Sequence, residues 1–244
     1  MQSMTKKLLT TIALSATLLF MNSCKKDDDA GPDEPSNYMV VHSSPGSPAV
    51  ELYLNDAKAS ASPIAYGTNS AYTTIEPKQY NVKIAAVNTI NPLAETSVNL
   101  NEGQSHSIFV YDTLVSSKLK VFAVEDDLSA PPSGKAKVRF FHLSPPTTSG
   151  DKILVDIVAN GTVIFPNRGY ADNVSDGGKG NFVTIDAGTY NVDVRIASSS
   201  PGVPAILSVP GVVVQAGKIY TLIAKGKITG TGETALGAQL IINK

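Results

Sequence analysis

The sequence predicts an all-β protein, two tandem immunoglobulin-like β-sandwich domains behind an N-terminal export signal. Three observations predict it. Short apolar runs with a period of two are separated by turn formers, 19 Gly and 15 Pro in 244 residues. The body of the chain repeats itself, motif by motif. The single cysteine, Cys24, stands where an N-terminal apolar stretch ends.

Residues 1–23 read as a signal peptide. Lys6 and Lys7 form a positive start, and Leu8 to Met21 carry no charge. That stretch is too short and too rich in Ser and Thr to span a bilayer, which takes roughly 20 predominantly apolar residues. An ordinary secretory peptide cut near Ser23 would leave Cys24 incidental, but the position of this sole cysteine argues for more. Leu18-Leu19-Phe20-Met21-Asn22-Ser23 followed by Cys24 resembles the lipobox of bacterial lipoproteins, with Met21 and Asn22 looser than its usual small residues. The resemblance implies diacylglycerol on the Cys24 thiol, cleavage before it and acylation of its amine. Two or three chains, at about 0.8 kcal/mol per buried CH₂, give the stable anchoring that one chain does not. Lys25-Lys26-Asp27-Asp28-Asp29 reads most plainly as a solvated spacer. It is also similar to the acidic export signal of Bacteroidetes surface lipoproteins, which implies an outer-membrane, lipid-anchored protein facing the cell surface. The lipidated cysteine and a polar, Pro-rich tether occupy residues 24–37.

Charge and cysteine content exclude some classes. The chain has 20 basic and 21 acidic residues; without Lys6 and Lys7 the remainder is 18 against 21, a net charge of −3. That is no footprint for nucleic acid, which needs a clustered basic face. With one cysteine there is no internal disulfide, so the domains are held by packing alone.

The first repeat is expected over residues 38–128, a linker over 129–134 (SAPPSG), and the second repeat over 135–244. Val41-His42-Ser43-Ser44-Pro45 returns as Phe141-His142-Leu143-Ser144-Pro145. Val50-Glu51-Leu52 returns as Val155-Asp156-Ile157, Tyr80-Asn81-Val82 as Tyr190-Asn191-Val192, and Asn101-Glu102-Gly103 as Gln215-Ala216-Gly217. The offset rises stepwise from 100 at His42/His142 to 114 at Gly103/Gly217, and each step falls between matched runs. Turns are expected at Asn55-Asp56, Asn160-Gly161, Glu102-Gly103, Ala187-Gly188 and Ala216-Gly217. About seven strands per copy follow. Within them alternation sets a core face against a water face. Thus Ala136, Val138, Phe140 and His142 are expected inside, with Lys137 and Arg139 outside.

A strand ending in His-x-Ser-Pro, an apolar-acidic strand (Val50-Glu51-Leu52-Tyr53, Val155-Asp156-Ile157), then Tyr80-Asn81-Val82 or Gly188-Thr189-Tyr190-Asn191-Val192, resembles the bacterial family named domain of unknown function 4397. The first copy departs in carrying Pro77-Lys78-Gln79 where the second has Ala187-Gly188-Thr189. The resemblance implies an extracytoplasmic β-sandwich without an established activity.

No catalytic set, metal site or cofactor is expected. His42 and His142 with Ser44, Ser144, Pro45 and Pro145 read as a structural motif; at His142 one ring nitrogen is expected to donate to a loop carbonyl near Ser144-Pro145, pinning the turn that leaves the strand. The third histidine, His106, belongs to another strand and matches Tyr220. A hydrolase would need Ser43, Ser44 or Ser144 as nucleophile, but no Gly-x-Ser-x-Gly elbow is present. Asp172-Asn173-Val174-Ser175-Asp176-Gly177 falls short of a calcium loop, because Val174 and Val183 stand where oxygen ligands belong. An inserted loop, Pro166 to Gly180, is the simpler reading. Tyr53, Tyr66, Tyr72, Tyr111 and Tyr170 are weak candidates for a glycan platform, since Tyr in strands commonly serves packing. The leading expectation is a non-enzymatic binding or adhesion module. Its partners would be the membrane, through Cys24, and a glycan or an envelope protein. The alternatives are an accessory subunit docking on an envelope complex and a carbohydrate-handling enzyme.

Overall fold

The computed structural model describes residues 34–115, 118–147, 153–197 and 203–244. Cys24, the expected signal peptide and most of the expected tether lie outside the described residues. Residues 33–244 form one compact unit.

The described residues form sixteen strands, eight per copy rather than about seven. The first copy holds β1 (Ser36–His42), β2 (Val50–Leu54), β3 (Ala57–Lys58), β4 (Thr73–Ile75), β5 (Lys78–Ala86), β6 (Pro92–Leu100), β7 (Ser105–Val115) and β8 (Lys118–Asp126). The second holds β9 (Lys135–His142), β10 (Val155–Ala159), β11 (Thr162–Arg168), β12 (Val183–Asp186), β13 (Gly188–Ile196), β14 (Leu207–Val214), β15 (Ile219–Lys225) and β16 (Gly237–Ile242). The extra strands are short pieces such as the two-residue β3, which periodicity cannot resolve. Ser36 and Asn37, expected in the tether, are the first residues of β1 and pair with Ile75 and Thr74.

Each copy stacks two four-stranded sheets, with orders β4-β1-β7-β8 and β3-β2-β5-β6 in the first, β12-β9-β15-β16 and β11-β10-β13-β14 in the second. The order is the same strand for strand. So is the register: Tyr38 pairs His106 across the parallel β1–β7 ladder, and Val138 pairs Tyr220 across β9–β15. The two-residue hairpin turns have positive φ at Asn55 and Asp56 and at Asn160 and Gly161, as a type I′ turn requires. Asn55 Oδ1 accepts from the Asn81 amide and Asn160 Oδ1 from the Asn191 amide, both at 2.8 Å. The Tyr80 hydroxyl donates to the Glu76 carbonyl and Tyr190 to that of Asp186, pinning the entrance of β5 and of β13. These shared bonds are the physical content of the matched Tyr-Asn-Val motifs.

Three apolar clusters hold the unit together. Val40, Leu52, Val82, Ile84 and Ile108 fill the first sandwich. Ala136, Val138, Phe140, Ile157 and Val194 fill the second. The third joins the copies: Met39, Val41, Phe109, Tyr111 and Phe122 meet Phe141, Leu143, Ile223 and Ile241. Sheet β4-β1-β7-β8 therefore faces sheet β12-β9-β15-β16, and the central strands β1, β7, β9 and β15 are buried on both sides. This overturns the expectation for Arg139. Its face of β9 looks onto the other copy instead of water, and the residue is fully buried.

Candidate functional site

Between the copies, Phe109 stacks on Phe122 at 4.9 Å and meets Phe141 edge-on at 4.8 Å, contacts worth about 0.5–1.5 kcal/mol each beyond area burial. Arg139 enters this layer from the second copy and pairs with Asp126 of the first, both side chains wholly buried. A buried charge is tolerated only when it is paired and hydrogen-bonded. Here the Tyr72 and Ser107 hydroxyls also donate to Asp126, at 2.6 and 2.7 Å. Arg139 Nε donates to Thr221 Oγ1, which donates to Asn243, whose amide returns to Tyr72. The guanidinium also lies over the Phe182 ring at 4.4 Å. The network explains Tyr72 as a packing and hydrogen-bonding residue. The same applies to Tyr111 and Tyr170, which belong to the apolar layer between the copies.

His42 is buried, and its bonds fix its tautomer. Nδ1 accepts from the Ser44 amide at 3.3 Å, so Nε2 carries the proton and donates to the Pro48 carbonyl at 3.1 Å. The hydroxyl beside Nε2 is that of Ser47, 3.1 Å away, which itself donates to the Ser44 carbonyl. Ring and serine are thus both committed as donors to the turn, and Nε2 has no lone pair with which to take a serine proton. His42 thus makes a turn-pinning bond, accepted by Pro48, a residue the motif did not single out. The second copy differs. His142 Nδ1 is buried without a hydrogen bond, and burial depresses the ring's pKa to about 4. Both rings keep an edge-on tyrosine, Tyr66 and Tyr170. Ser144 and Pro145 line a space of about 30 Å³ beside His142. Pro45 and Ser44 sit buried in the turn after β1.

The loop after β11 binds its own acid. Asp172 receives both Arg168 Nε and Nη2 at 2.9 Å and the Gly169 amide at 3.0 Å, with Lys179 at 3.1 Å. Burial works against the Asp172 anion, but these donors outweigh it and lower its pKa. A carboxylate so occupied is an anchor for two short 3-10 turns; of the expected loop Pro166 to Gly180, Pro166, Asn167 and Arg168 belong instead to β11, so the added length lies in that strand. Among the described residues no group of three or more His, Cys, Asp or Glu is placed to hold a metal ion.

The copies differ most at one edge. In the first, β6 lies along β8 and closes the sandwich, with Val98, Leu100 and Leu119 buried at the seam. In the second, β14 and β16 do not meet in this way. Register identifies the counterparts: Val98 opposite Tyr80 becomes Val212 opposite Tyr190, and both change from buried to half-buried. Ala123 opposite Ile108 becomes Leu240 opposite Leu222, and Glu125 opposite His106 becomes Ile242 opposite Tyr220. Leu240 is 42% exposed and Ile242 62%. The cleft, about 50 Å³, is lined by Tyr190, Val212, Val214, Tyr220, Leu222 and Leu240. It has room for a few methyl groups, far less than the roughly 300–1,000 Å³ of a small-molecule site. Of twelve large hydrophobic side chains exposed among the described residues, all but Ile90 and Leu114 lie in the second copy. Sequence reasoning missed this edge because no single strand reveals how far apart two sheets sit.

The model of the family described as domain of unknown function, DUF4397, matches residues 36–151, from the first residue of β1 through β9 and into the following loop. The chain carries a DUF4397 domain. The resemblance read from the His-x-Ser-Pro and Tyr-Asn-Val motifs is thereby shown for the first copy, and the second copy repeats the strand order of that DUF4397 domain. No curated protein sequence matches the chain. A crystal structure of a proposed cell-adhesion protein from Bacteroides eggerthii aligns over 87% of this chain and 96% of its own, at 9% identity and a TM-score of 0.20. So low a score carries no argument about fold or function.

Proposed function

We propose that this chain is a non-enzymatic binding or adhesion module of the cell envelope, held at the outer membrane by lipid on Cys24 and facing the cell surface. The observation that carries the reading is the shared layer of Phe109, Phe122 and Phe141 with the buried Arg139–Asp126 pair, which makes one stiff head of two sandwiches. A head of that kind suits the presentation of a surface. The commitment of His42 and Ser47 to turn hydrogen bonds, and of Asp172 to Arg168, supports a structural use for the residues from which an active site would be drawn. The exposed apolar side chains favour the second copy as the recognition surface.

Two measurements test it. Palmitate labelling of the producing cells should mark wild type and spare Cys24→Ala; equal labelling would overturn the anchor. The full chain should bind saturably in glycan arrays or polysaccharide pull-downs. Reproducible co-purification of one envelope protein, with no glycan bound, would replace the recognition module by an accessory subunit.

A further inference from the structure

We propose that β16 pairs antiparallel with β16 of a second copy of this chain, closing the open seams of both second sandwiches. This goes beyond the binding reading and stands without it.

The first observation is the strand itself. Outer strands of soluble sheets are normally blunted against pairing by shortness, charge, proline or a bulge. β3 and β4 are two and three residues long, and β8 carries Lys118, Lys120 and Glu125. β6 has Pro92 and Glu95, β11 has Pro166, β12 ends in Asp186, and β14 has Pro210 beside a bulge. β16 reads Gly-Ala-Gln-Leu-Ile-Ile, with neither charge nor proline. It bonds β15 on one side, and among the described residues its other edge is the end of the sheet.

The second observation is the internal duplicate, which shows the same seam covered. There β6 lies against it with Val98 and Leu100 buried, and Glu125 keeps the rim polar. In the second copy the covering contact is missing and the rim residue is Ile242. Replacing a rim carboxylate by an exposed isoleucine beside an apolar cleft is unfavourable in water unless something covers both.

The third is what a like strand supplies. Directly opposed residues of an antiparallel pair point to the same face. A two-fold through Leu240 sets Leu240 against Leu240 and Ala238 against Ile242; one through Ile241 sets Leu240 against Ile242. Either register gathers the four exposed side chains of two copies over the two clefts. An uncharged strip does not repel its twin, and self-complementarity is what a two-fold interface demands. The other face of β16 is already fixed, because Ile241 and Gln239 are buried against the first copy. The added strand would therefore extend a sheet held rigid by an existing interface.

Sedimentation of the detergent-extracted full chain, at concentrations spanning the micromolar range, should give a dimer. Leu240→Glu with Ile242→Glu should give a folded monomer whose unfolding midpoint no longer rises with protein concentration, as that of the wild-type dimer should. Disulfide trapping in intact cells provides a second readout, because Cys24 is the only native cysteine. Leu240→Cys with Ile242→Cys should yield a covalent dimer well above that of Val213→Cys, an equally exposed position on β14. A wild type that stays monomeric, a glutamate variant that stays dimeric, equal trapping at Val213, or trapping to a different protein each overturns the proposal.

Discussion

Asp126→Asn is the sharpest perturbation of the interface. It keeps the shape and removes the charge that balances Arg139, both groups being wholly buried. The remaining amide oxygen can accept from Tyr72 or Ser107, but the new NH₂ must face a hydroxyl or the guanidinium, all of which are already donors there. Breaking a buried pair on one side costs about 3–5 kcal/mol, against a total stability of about 5–15 kcal/mol for a typical domain. Urea titration followed by far-UV circular dichroism should show that loss, and tyrosine fluorescence serves as a second probe because the chain has no Trp. The two probes should also part, since a weakened interface lets the sandwiches unfold separately. Arg139→Met added to Asp126→Asn should recover part of the loss, because the strand position equivalent to Arg139 in the first copy is Met39, buried in the same layer. The coupling between the two sites should exceed about 1 kcal/mol. A cost below about 1 kcal/mol for Asp126→Asn, or strict additivity in the double variant, would refute the claim that the pair holds the copies together.

Three further outcomes are expected. The folded pKa of His142, about 4, lies below its ordinary 6.5, so the folded state holds the neutral ring. Its contribution is intact above about pH 6.5 and is lost as pH falls toward 4, up to about 3 kcal/mol over that window; His142→Gln should flatten that part of a pH series of urea midpoints. Gly226 has φ +81°, and a Cβ there would sit 2.0 Å from the Ala235 carbonyl oxygen, so Gly226→Ala should cost more than about 1 kcal/mol and lower the melting temperature. Asp172→Asn removes the charge and one of the two oxygens that accept from Arg168, itself buried, at an expected cost of about 1–3 kcal/mol; faster amide exchange confined to residues 169–180 would locate the effect, and unchanged exchange would contradict the anchoring role.

The duplication was legible because its signals are local. Asn55-Asp56 and Asn160-Gly161 dictate the same turn, and Tyr-Asn-Val dictates the same strand entry, whatever lies elsewhere. Arg139 was not legible in that way, since alternation assigns it a face without saying what the face meets. A signal did exist: Tyr38-Met39-Val40-Val41, Ile108-Phe109-Val110-Tyr111 and Phe140-Phe141 are unbroken apolar runs, the mark of strands buried on both sides. An arginine inside such a layer requires a carboxylate partner, and that partner is 13 residues away across the linker. The open seam depends on the distance between two sheets. Its one trace in the sequence is the change from Glu125 to Ile242 at matched positions, visible only once the register is known.

The differences between the copies point one way. Met39 corresponds to Arg139, a ring satisfied at both nitrogens corresponds to one with Nδ1 unbonded, and a closed seam with a carboxylate rim corresponds to an open one with an isoleucine rim. Each change places in the second copy a feature that is unfavourable in an isolated sandwich. The first copy offsets the arginine directly, with Asp126, Tyr72 and Ser107. It offers nothing to the seam, because Leu240 and Ile242 lie exposed on the face of β16 opposite the layer that Ile241 shares with it. Among the described residues, stabilisation therefore accounts for one of the two large liabilities and leaves the other uncovered. A second copy of β16, as proposed above, is a cover that would suit the remaining one.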